Sequence, residues 1–206
     1  INIELQGNDF DVVSNEIGQL SGVEKVAGCQ HLPATGISSG ASIRLEGSED
    51  EHTNMGSFYI HPNFIDILEL EIVAGKNFAS YNKSNIERSI IINEAAVTAL
   101  GFNSSIEAVG SIVELKGKDQ NIIIAGVVND FRHRLPMFEE EIGPMVFRNA
   151  EGQFSYLTLK TNDGDLKSLV NDIEKKWAEI DPTHPLEYSF FDEQMAATFE
   201  ILTDVI

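Results

Sequence analysis

The stretch DLKSLVNDIEKKWAEI, residues 165–180, carries the clearest structural signal in the chain and decides its fold. Asp165 is a good N-cap, and Asp181-Pro182 ends the segment because the residue before a proline disfavours helical backbone. Strand-like segments, 154–161 and 186–191, flank it on both sides. The pattern therefore predicts a strand–helix–strand unit. The apolar face of the helix comprises Leu166, Leu169, Val170, Ile173, Trp177 and Ile180.

The first thirty residues repeat the same order. Residues 1–5 alternate apolar and polar side chains, and Asn8 or Asp9 can cap a helix that Gly22 ends before a second strand at 23–29. Two such βαβ units, separated in sequence, can combine into one ferredoxin-like sheet with both helices on one face. We therefore predict an α+β fold of two lobes. A split βαβ lobe comprises residues 1–30 and 152–206, and a mostly β lobe, 31–151, is inserted into it.

The inserted segment predicts mostly short strands, at 42–45, 57–60, 89–92, 112–115 and 122–128. Two short helices are expected among them, at 61–68 and at 94–100. Asn93 would cap the second helix and Gly101 would end it. Stretches rich in glycine, serine and acidic residues, 36–42, 47–53 and 80–87, predict surface loops.

The charge balance excludes a nucleic-acid partner. The chain has 14 Lys and Arg residues against 33 Asp and Glu, a formal net charge of −19. Binding to phosphate backbones needs a basic surface, which this composition cannot provide. No stretch approaches the roughly 20 apolar residues of a membrane-spanning helix. Because the chain begins inside a strand-like run and stops inside the helical pattern of 193–206, we expect it to be a piece of a longer protein.

Motifs that suggest catalysis fail on their context. Gly36-Ile37-Ser38-Ser39-Gly40 fits the G-x-S-x-G pattern, but a nucleophile elbow needs a strand before the serine and a helix after it. A strand-like run follows here, which favours a loop. His133 has suggestive neighbours but is expected in a solvated loop, and Cys29, in an apolar run, is expected to be a buried inert thiol. We therefore predict no catalytic, cofactor-binding or metal-binding residue, and no cofactor.

Three middle segments together resemble a known family. The first is IIINEAAV (90–97) with LGF (100–102) and AVG (108–110), and the second is IIIAGVVNDF (122–131) with GPMVF (143–147). The third is FIDILEL (64–70) with AGKNF (74–78). They resemble the signatures of the MacB-like periplasmic core domain of FtsX-like ABC-transporter permeases, although Lys76 stands where the family often has arginine. The signature residues, expected to be structural, are Asn93, Glu94, Gly101, Gly110, Gly126, Val127, Asp130, Phe131 and Pro144.

The resemblance implies a periplasmic domain between two transmembrane helices of an inner-membrane permease. The split lobe would then be the porter-type lobe of the family. The implied partners are the permease's own transmembrane helices, a separate cytoplasmic ABC ATPase, a second permease subunit, and a periplasmic or outer-membrane protein. The implied function is non-catalytic. The domain would transmit ATP-driven conformational change and bind a cargo or partner protein.

Other functions stay open at this point. A free-standing periplasmic binding protein or lipoprotein would have the same composition and fold class. A hydrolase that uses Ser38 is a remote alternative. Within the permease class, a regulator that transports nothing would have the same signatures as an exporter.

Overall fold

A computed structural model describes residues 1–33, 35, 38–84, 86–118, 121–131, 142–162, 164–191 and 193. It combines two sheets with a few helices in a mixed α+β arrangement, so the α+β part of the predicted fold class is confirmed. In chain order the elements are β1 (Asn2–Glu4), α1 (Phe10–Gly18), β2 (Val23–Cys29), β3 (Ser39–Leu45), β4 (Thr53–Tyr59), α2 (Asn63–Ile67), β5 (Ile72–Gly75), β6 (Ser89–Asn93), α3 (Glu94–Ala99), α4 (Ser105–Ala108), β7 (Ile112–Leu115), β8 (Asn121–Val128), β9 (Met145–Arg148), β10 (Tyr156–Thr161), α5 (Leu166–Ile180) and β11 (Tyr188–Ser189).

The first sheet combines strands from both ends of the chain. Its four strands have the order β11-β1-β10-β2, and the neighbouring strands are antiparallel. Two βαβ units give this order in a ferredoxin-like sheet. One face is covered by α1 and α5, whose apolar side chains share a buried cluster with the sheet, including Val13, Ile17, Leu157, Ile173 and Trp177. We call this the terminal sheet.

Side-chain caps fix where the two long helices begin. A carboxylate oxygen of Asp9 accepts a hydrogen bond from the backbone N–H of Val12 at 3.0 Å. Asp165 accepts one from the N–H of Ser168 at 3.2 Å. Each cap satisfies a backbone donor that the first turn of a helix cannot pair internally. The predicted start of α5 at Asp165 and its end at Asp181 agree with the structure.

The second sheet closes into a barrel. Its strands have the order β5-β8-β6-β9-β4-β3-β7, and β7 also pairs with β8. The first half of β8 pairs with β7 and the second half pairs with β5, so six strands form a closed ring and β5 is attached outside it. Closure removes the exposed edges that an open sheet would leave.

Alternate side chains of the six ring strands fill the barrel. Every ring strand contributes to one buried cluster, and α3 adds Ala96, Val97 and Leu100 to it. The strand residues of this cluster include Ile43, Met55, Ile92, Val113, Ile124 and Val146. The interior is therefore a packed hydrophobic core, as expected for a small barrel.

Several predicted element boundaries were wrong. The predicted loop at 36–42 overlaps β3, which begins at Ser39, and β4 begins at Thr53 rather than at Ser57. The helix predicted over 61–68 is only five residues long, and the last strand has two residues instead of six. Three short elements, β5, α4 and β9, were missed. Apart from Glu193, the predicted helical end at 193–206 lies outside the described residues.

The strands of the terminal sheet lie within residues 1–30 and 152–206, and those of the barrel lie within 31–151. A separate buried cluster contains residues of both sheets, such as Cys29 of β2 and Phe147 of β9. Because the two sheets share this core, the division of the chain into two independent lobes stays a prediction.

Candidate functional site at the junction of the two sheets

The terminal sheet and the barrel are joined by backbone hydrogen bonds where β2 and β4 end. Cys29 forms an isolated antiparallel bridge with Ile60. The N–H of Gln30 donates to the carbonyl oxygen of Tyr59 at 2.9 Å, and the N–H of His61 donates to that of Gly28 at 2.8 Å. These bonds hold the end of one sheet against the end of the other.

Buried apolar side chains reinforce this connection. Ala27 and Cys29 of the terminal sheet pack into one cluster with Phe58, Phe64 and Phe147 of the inserted segment. The amide of Asn63, at the start of α2, donates to the carbonyl oxygen of Val26 at 2.9 Å, so α2 covers the outer edge of β2. The junction is therefore a packed apolar contact rather than a solvated one.

Four rings form an aromatic cluster across the junction. Phe10 of α1 lies 4.9 Å from Phe154 and 5.6 Å from Tyr81, measured between ring centroids. His61 lies 5.5 Å from Phe10 and 5.6 Å from Tyr81. Phe10 and Phe154 belong to the terminal part of the chain, and His61 and Tyr81 belong to the inserted part. The pairs of Phe10 with Tyr81, edge-to-face, and with His61, tilted, join the two parts, and such aromatic contacts add to the free energy of packing.

Gly28 makes room for one of these rings. A Cβ atom at this position would lie 2.2 Å from Cδ2 of Phe154, far inside van der Waals contact. The missing side chain therefore lets the Phe154 ring lie directly across β2. No local pattern singles out this glycine, because the residue that needs the space is distant in the chain.

Among the described residues, three ion pairs also cross the junction. Lys25 Nζ lies 2.7 Å from Asp66 Oδ2, and Lys160 Nζ lies 3.1 Å from Glu69 Oε1. Lys83 pairs with Asp11 of α1. All three are exposed, so each contributes little to stability, on the order of 0–1 kcal/mol.

His61 is held neutral inside the aromatic cluster. Burial lowers its pKa to about 4, an effect that the nearby Asp11 carboxylate only partly opposes. Its Nδ1 accepts a hydrogen bond from the N–H of Asn63 at 3.2 Å, which requires an unprotonated nitrogen. The imidazole thus acts as a neutral cap at the start of α2.

Several of the signature residues contact one another at a second position, where β6 leads into α3. Asn93 is fully buried and caps α3, as expected, by accepting from the N–H of Ala96 at 3.1 Å. Its Oδ1 also accepts from the N–H of Met145 at 2.8 Å. Its Nδ2 donates to Asp130 Oδ1 at 2.8 Å and to the carbonyl oxygen of Gly143 at 3.1 Å. Every hydrogen-bonding site of this amide is therefore used.

Asp130 and Glu94 complete this cluster. Asp130 Oδ1 accepts a hydrogen bond from the N–H of Ala95 at 2.9 Å, so it binds the first turn of α3. Glu94 Oε2 in return accepts from the N–H of Asp130 at 3.3 Å. The cluster connects the ends of β6 and β8 to the start of β9.

The remaining signature residues have steric and packing roles. A Cβ on Gly126 would lie 2.5 Å from the carbonyl oxygen of Lys76. Gly101 and Gly110 have φ angles of 83° and 87°, which side chains rarely tolerate. Val127 is buried, and Phe131 stacks on Phe147. The carbonyl oxygen of Pro144 accepts a hydrogen bond from the N–H of Gly56.

A buried ion-pair network lies between the strand ends of the barrel. Glu87 is 1% exposed and accepts hydrogen bonds from Arg148 and from Lys118, whose Nζ is 2.6 Å away. Burial alone would raise the pKa of Glu87, but these two cations outweigh it and hold the pKa below its usual value. The Arg148 guanidinium also stacks on Tyr59, 4.5 Å from the ring centroid. Sequence reasoning missed this network because no local pattern connects residues so far apart.

Ser38 and Cys29, from the motifs rejected on sequence grounds, lie next to a strand and in the buried core. Ser38 precedes β3, so a strand follows it where a nucleophile elbow needs a helix. Cys29 is buried, and burial raises its pKa to about 12. His133 lies outside the described residues. Within the described part of the chain, no group of three or more His, Cys, Asp or Glu side chains could hold a metal ion.

Solved structures with the same fold identify its type. The periplasmic region of MacB from Actinobacillus actinomycetemcomitans superposes with a TM-score of 0.64 at 12% identity, covering 97% of this chain and 91% of that one. The fold is that of a MacB-like periplasmic domain. A domain of a putative permease protein from Porphyromonas gingivalis gives 0.61 at 14% identity, covering 92% and 85% of the two chains. The extracellular domain of the noncanonic ABC-type transporter YknZ from Gram-positive bacteria gives 0.59 at 16%, covering 91% and 100%.

No family model and no curated protein matches the sequence. The MacB-like fold is therefore established by structure, with sequence identities too low to carry activity or partners from one protein to another. In the described residues, no helix has the length and apolar character needed to span a bilayer.

Proposed function

We propose that this chain is the extracytoplasmic, periplasmic domain of an ABC-transporter permease of the inner membrane. It is non-catalytic, transmits ATP-driven conformational change, and binds a cargo or partner protein. The MacB-like fold supports this proposal, together with the signature residues Asn93, Gly126 and Asp130, whose contacts hold the barrel together.

The observation that carries the proposal is the packed junction between the terminal sheet and the barrel. β1 and β11, the first and last strands, are neighbours in the terminal sheet. In a permease, motion of the flanking membrane helices would enter the domain through this sheet. The shared core with Cys29 and Phe147 and the Cys29–Ile60 bridge would then pass it to the barrel. In this scheme the terminal sheet is the porter-type lobe and the barrel is the inserted lobe.

The proposed partners follow from the same scheme. The domain would connect to the permease's own transmembrane helices, which couple to a separate cytoplasmic ABC ATPase. The intact permease would be a homodimer and would engage a periplasmic or outer-membrane protein. The net charge of −19 supports a partner other than nucleic acid.

The experiment compares two strand glycines in the full-length parent protein, reconstituted with its ATPase. Gly28→Ala would force the Phe154 ring off β2 and loosen the junction. Gly40→Ala in β3 is the matched control, because a Cβ there meets no atom within 4 Å. We expect Gly28→Ala to uncouple ATP hydrolysis from transport while Gly40→Ala leaves both unchanged. If deletion of residues 31–151 left coupled transport intact, the proposal would be wrong.

A further inference from the structure

A small pocket of about 190 Å³ lies on the outer wall of the barrel, beside the start of β6. Its volume accommodates roughly six groups of the size of a water molecule. The residues that line it include Phe78, Ser80, Asn82, Ile86, Arg88 and Ser89. None of the described residues that line this pocket carries a carboxylate, in a chain that has 33 acidic residues.

Hydrogen bonds fix the rim of the pocket in advance. Asn149 is 4% exposed, and its Nδ2 donates to the carbonyl oxygen of Ser80 at 2.8 Å. Its Oδ1 accepts from the N–H of Asn82 at 3.0 Å, and its carbonyl oxygen accepts from Asn82 Nδ2 at 3.1 Å. The segment on one side of the pocket is therefore attached to the end of β9. A preformed rim lowers the entropy cost of binding.

Three donor side chains of the pocket, Ser80, Arg88 and Ser89, have no side-chain partner among the described residues. Among the described residues, the Arg88 guanidinium has no ion pair and no side-chain hydrogen bond, whereas Arg44 and Arg148 both pair with glutamates. The hydroxyl groups of Ser80 and Ser89 likewise have no partner in the described part of the chain. An arginine fork is suited to binding the two oxygens of a carboxylate or phosphate together.

The other side of the pocket is apolar. Phe78 forms part of its wall, and Ile86 is 58% exposed at its edge. On the adjoining outer face of the barrel, Ile112 and Ile123 are direct cross-strand partners, and Ile123 is in register with Ser89. Both isoleucines are exposed, so the apolar surface extends beyond the pocket.

We propose that this pocket binds a small organic anion. The carboxylate or phosphomonoester head would lie on the Arg88 guanidinium with help from the hydroxyl of Ser89, and a short apolar chain would lie against Phe78 and Ile86. Both head groups present paired oxygens to the guanidinium, so the charge of the pocket alone does not distinguish them. The inference rests on this pocket and is independent of the proposed permease function.

The test is a titration of the 206-residue chain followed by ¹H–¹⁵N NMR. The ligands are hexanoate, hexyl phosphate, inorganic phosphate and the uncharged analogue hexanol. We expect the six-carbon anions to shift the amides of Ser80, Arg88 and Ser89 in a saturable way, with a Kd of about a millimolar, as suits so few atoms. Hexanol and inorganic phosphate are expected to bind at least about tenfold more weakly.

Two point substitutions test whether the anions bind at Arg88. Arg88→Gln removes the charge of an exposed side chain without breaking a described contact, and it is expected to weaken binding about tenfold. Lys116→Gln removes a charge of the same sign from an exposed position outside the pocket and is expected to change nothing. The relative affinities of hexanoate and hexyl phosphate then show which head group the pocket prefers. Saturable binding that is unaffected by Arg88→Gln, equal binding of hexanol, or no binding at 50 mM, roughly fifty times the expected Kd, would each overturn the inference.

Discussion

Asn93 donates a hydrogen bond from Nδ2 to Oδ1 of Asp130 over 2.8 Å and thereby joins the ends of two neighbouring barrel strands. The same asparagine amide also caps α3 and binds the backbone on both sides of the turn into β9. One buried side chain thus connects three strands and one helix. Two residues of the family signature form this contact, which gives a physical reason for their presence.

Replacing Asn93 with alanine should destabilise the domain strongly. The change removes the cap of α3 and leaves the buried N–H of Met145 without its acceptor. We expect the free energy of unfolding to fall by about 2–4 kcal/mol, measured by urea denaturation. Ser104→Ala is the matched control, because Ser104 caps the short and exposed α4. Its expected cost is at most about 1 kcal/mol. Equal costs for the two caps would contradict the role given to Asn93.

Alanine at Gly28 should also destabilise the domain, through overpacking. The new Cβ would meet the Phe154 ring at 2.2 Å, so the ring has to leave its place in the aromatic cluster. We expect a loss of about 1–3 kcal/mol in the free energy of unfolding. Gly40→Ala should be neutral or slightly stabilising, because its Cβ meets nothing and alanine restricts the unfolded chain. Thermal melts of the two variants side by side decide the point.

Neutralising Glu87 should cost far more than neutralising a similar exposed glutamate. Glu87→Gln leaves the buried guanidinium of Arg148 without a counter-charge, for which we expect a loss of about 3–5 kcal/mol. Glu114→Gln breaks the partly exposed pair with Arg44, and its expected cost is much smaller because water screens that pair. Both losses are read from chemical denaturation at pH 7. A cost for Glu87→Gln no larger than for Glu114→Gln would show that water reaches the network.

The free energy of unfolding should decrease as the pH is lowered, because of His61. The folded protein keeps this imidazole neutral down to a pH of about 4, whereas the unfolded chain takes up a proton near 6.5. The contribution is complete above pH 6.5, decreases as the pH falls toward 4, and changes no further below it. Because His61 is only partly buried, we expect about 1–3 kcal/mol over this range.

His61→Asn tests the origin of this pH dependence. Asparagine can still accept the hydrogen bond from the N–H of Asn63, but it does not titrate. The variant should be less stable at pH 7, because the ring contacts of His61 with Phe10 and Tyr81 are lost. Its free energy of unfolding should vary less between pH 6.5 and 4.5. An unchanged slope would assign the pH dependence to carboxylates instead.

The sequence predicted those parts of the fold that depend on local signals. The helical spacing of Leu169, Ile173 and Trp177 and the caps Asp9, Asn93 and Asp165 all agree with the structure. A cap or an amphipathic face is specified within a few residues, so it can be read without knowing the rest of the chain. The strand order of the terminal sheet follows from two such local units.

The barrel and the junction could not be predicted in the same way. Closure depends on β8 changing its partner from β7 to β5 along its length, which no local pattern specifies. β5 and β9 are only four residues long, too short for a periodicity to distinguish strand from loop. The contacts of Gly28 with Phe154 and of Glu87 with Arg148 join residues that are remote in sequence. No local pattern therefore marked Gly28 or Glu87 as important.

The most direct test of the central claim measures distances by spin labels in the full-length protein with its ATPase. Lys167→Cys places a label on α5 of the terminal sheet, and Ile106→Cys places one on α4 of the barrel, where the side chain is 81% exposed. Cys29 need not be removed, because burial raises its pKa to about 12 and keeps the thiol unreactive.

If the packed junction relays motion, the distance between the two labels within one chain stays constant between the nucleotide-free and vanadate-trapped states. The distance between the Ile106 labels of two subunits then changes with the nucleotide state. A within-chain distance that changes with nucleotide, or barrel positions that do not respond to it, would contradict the account.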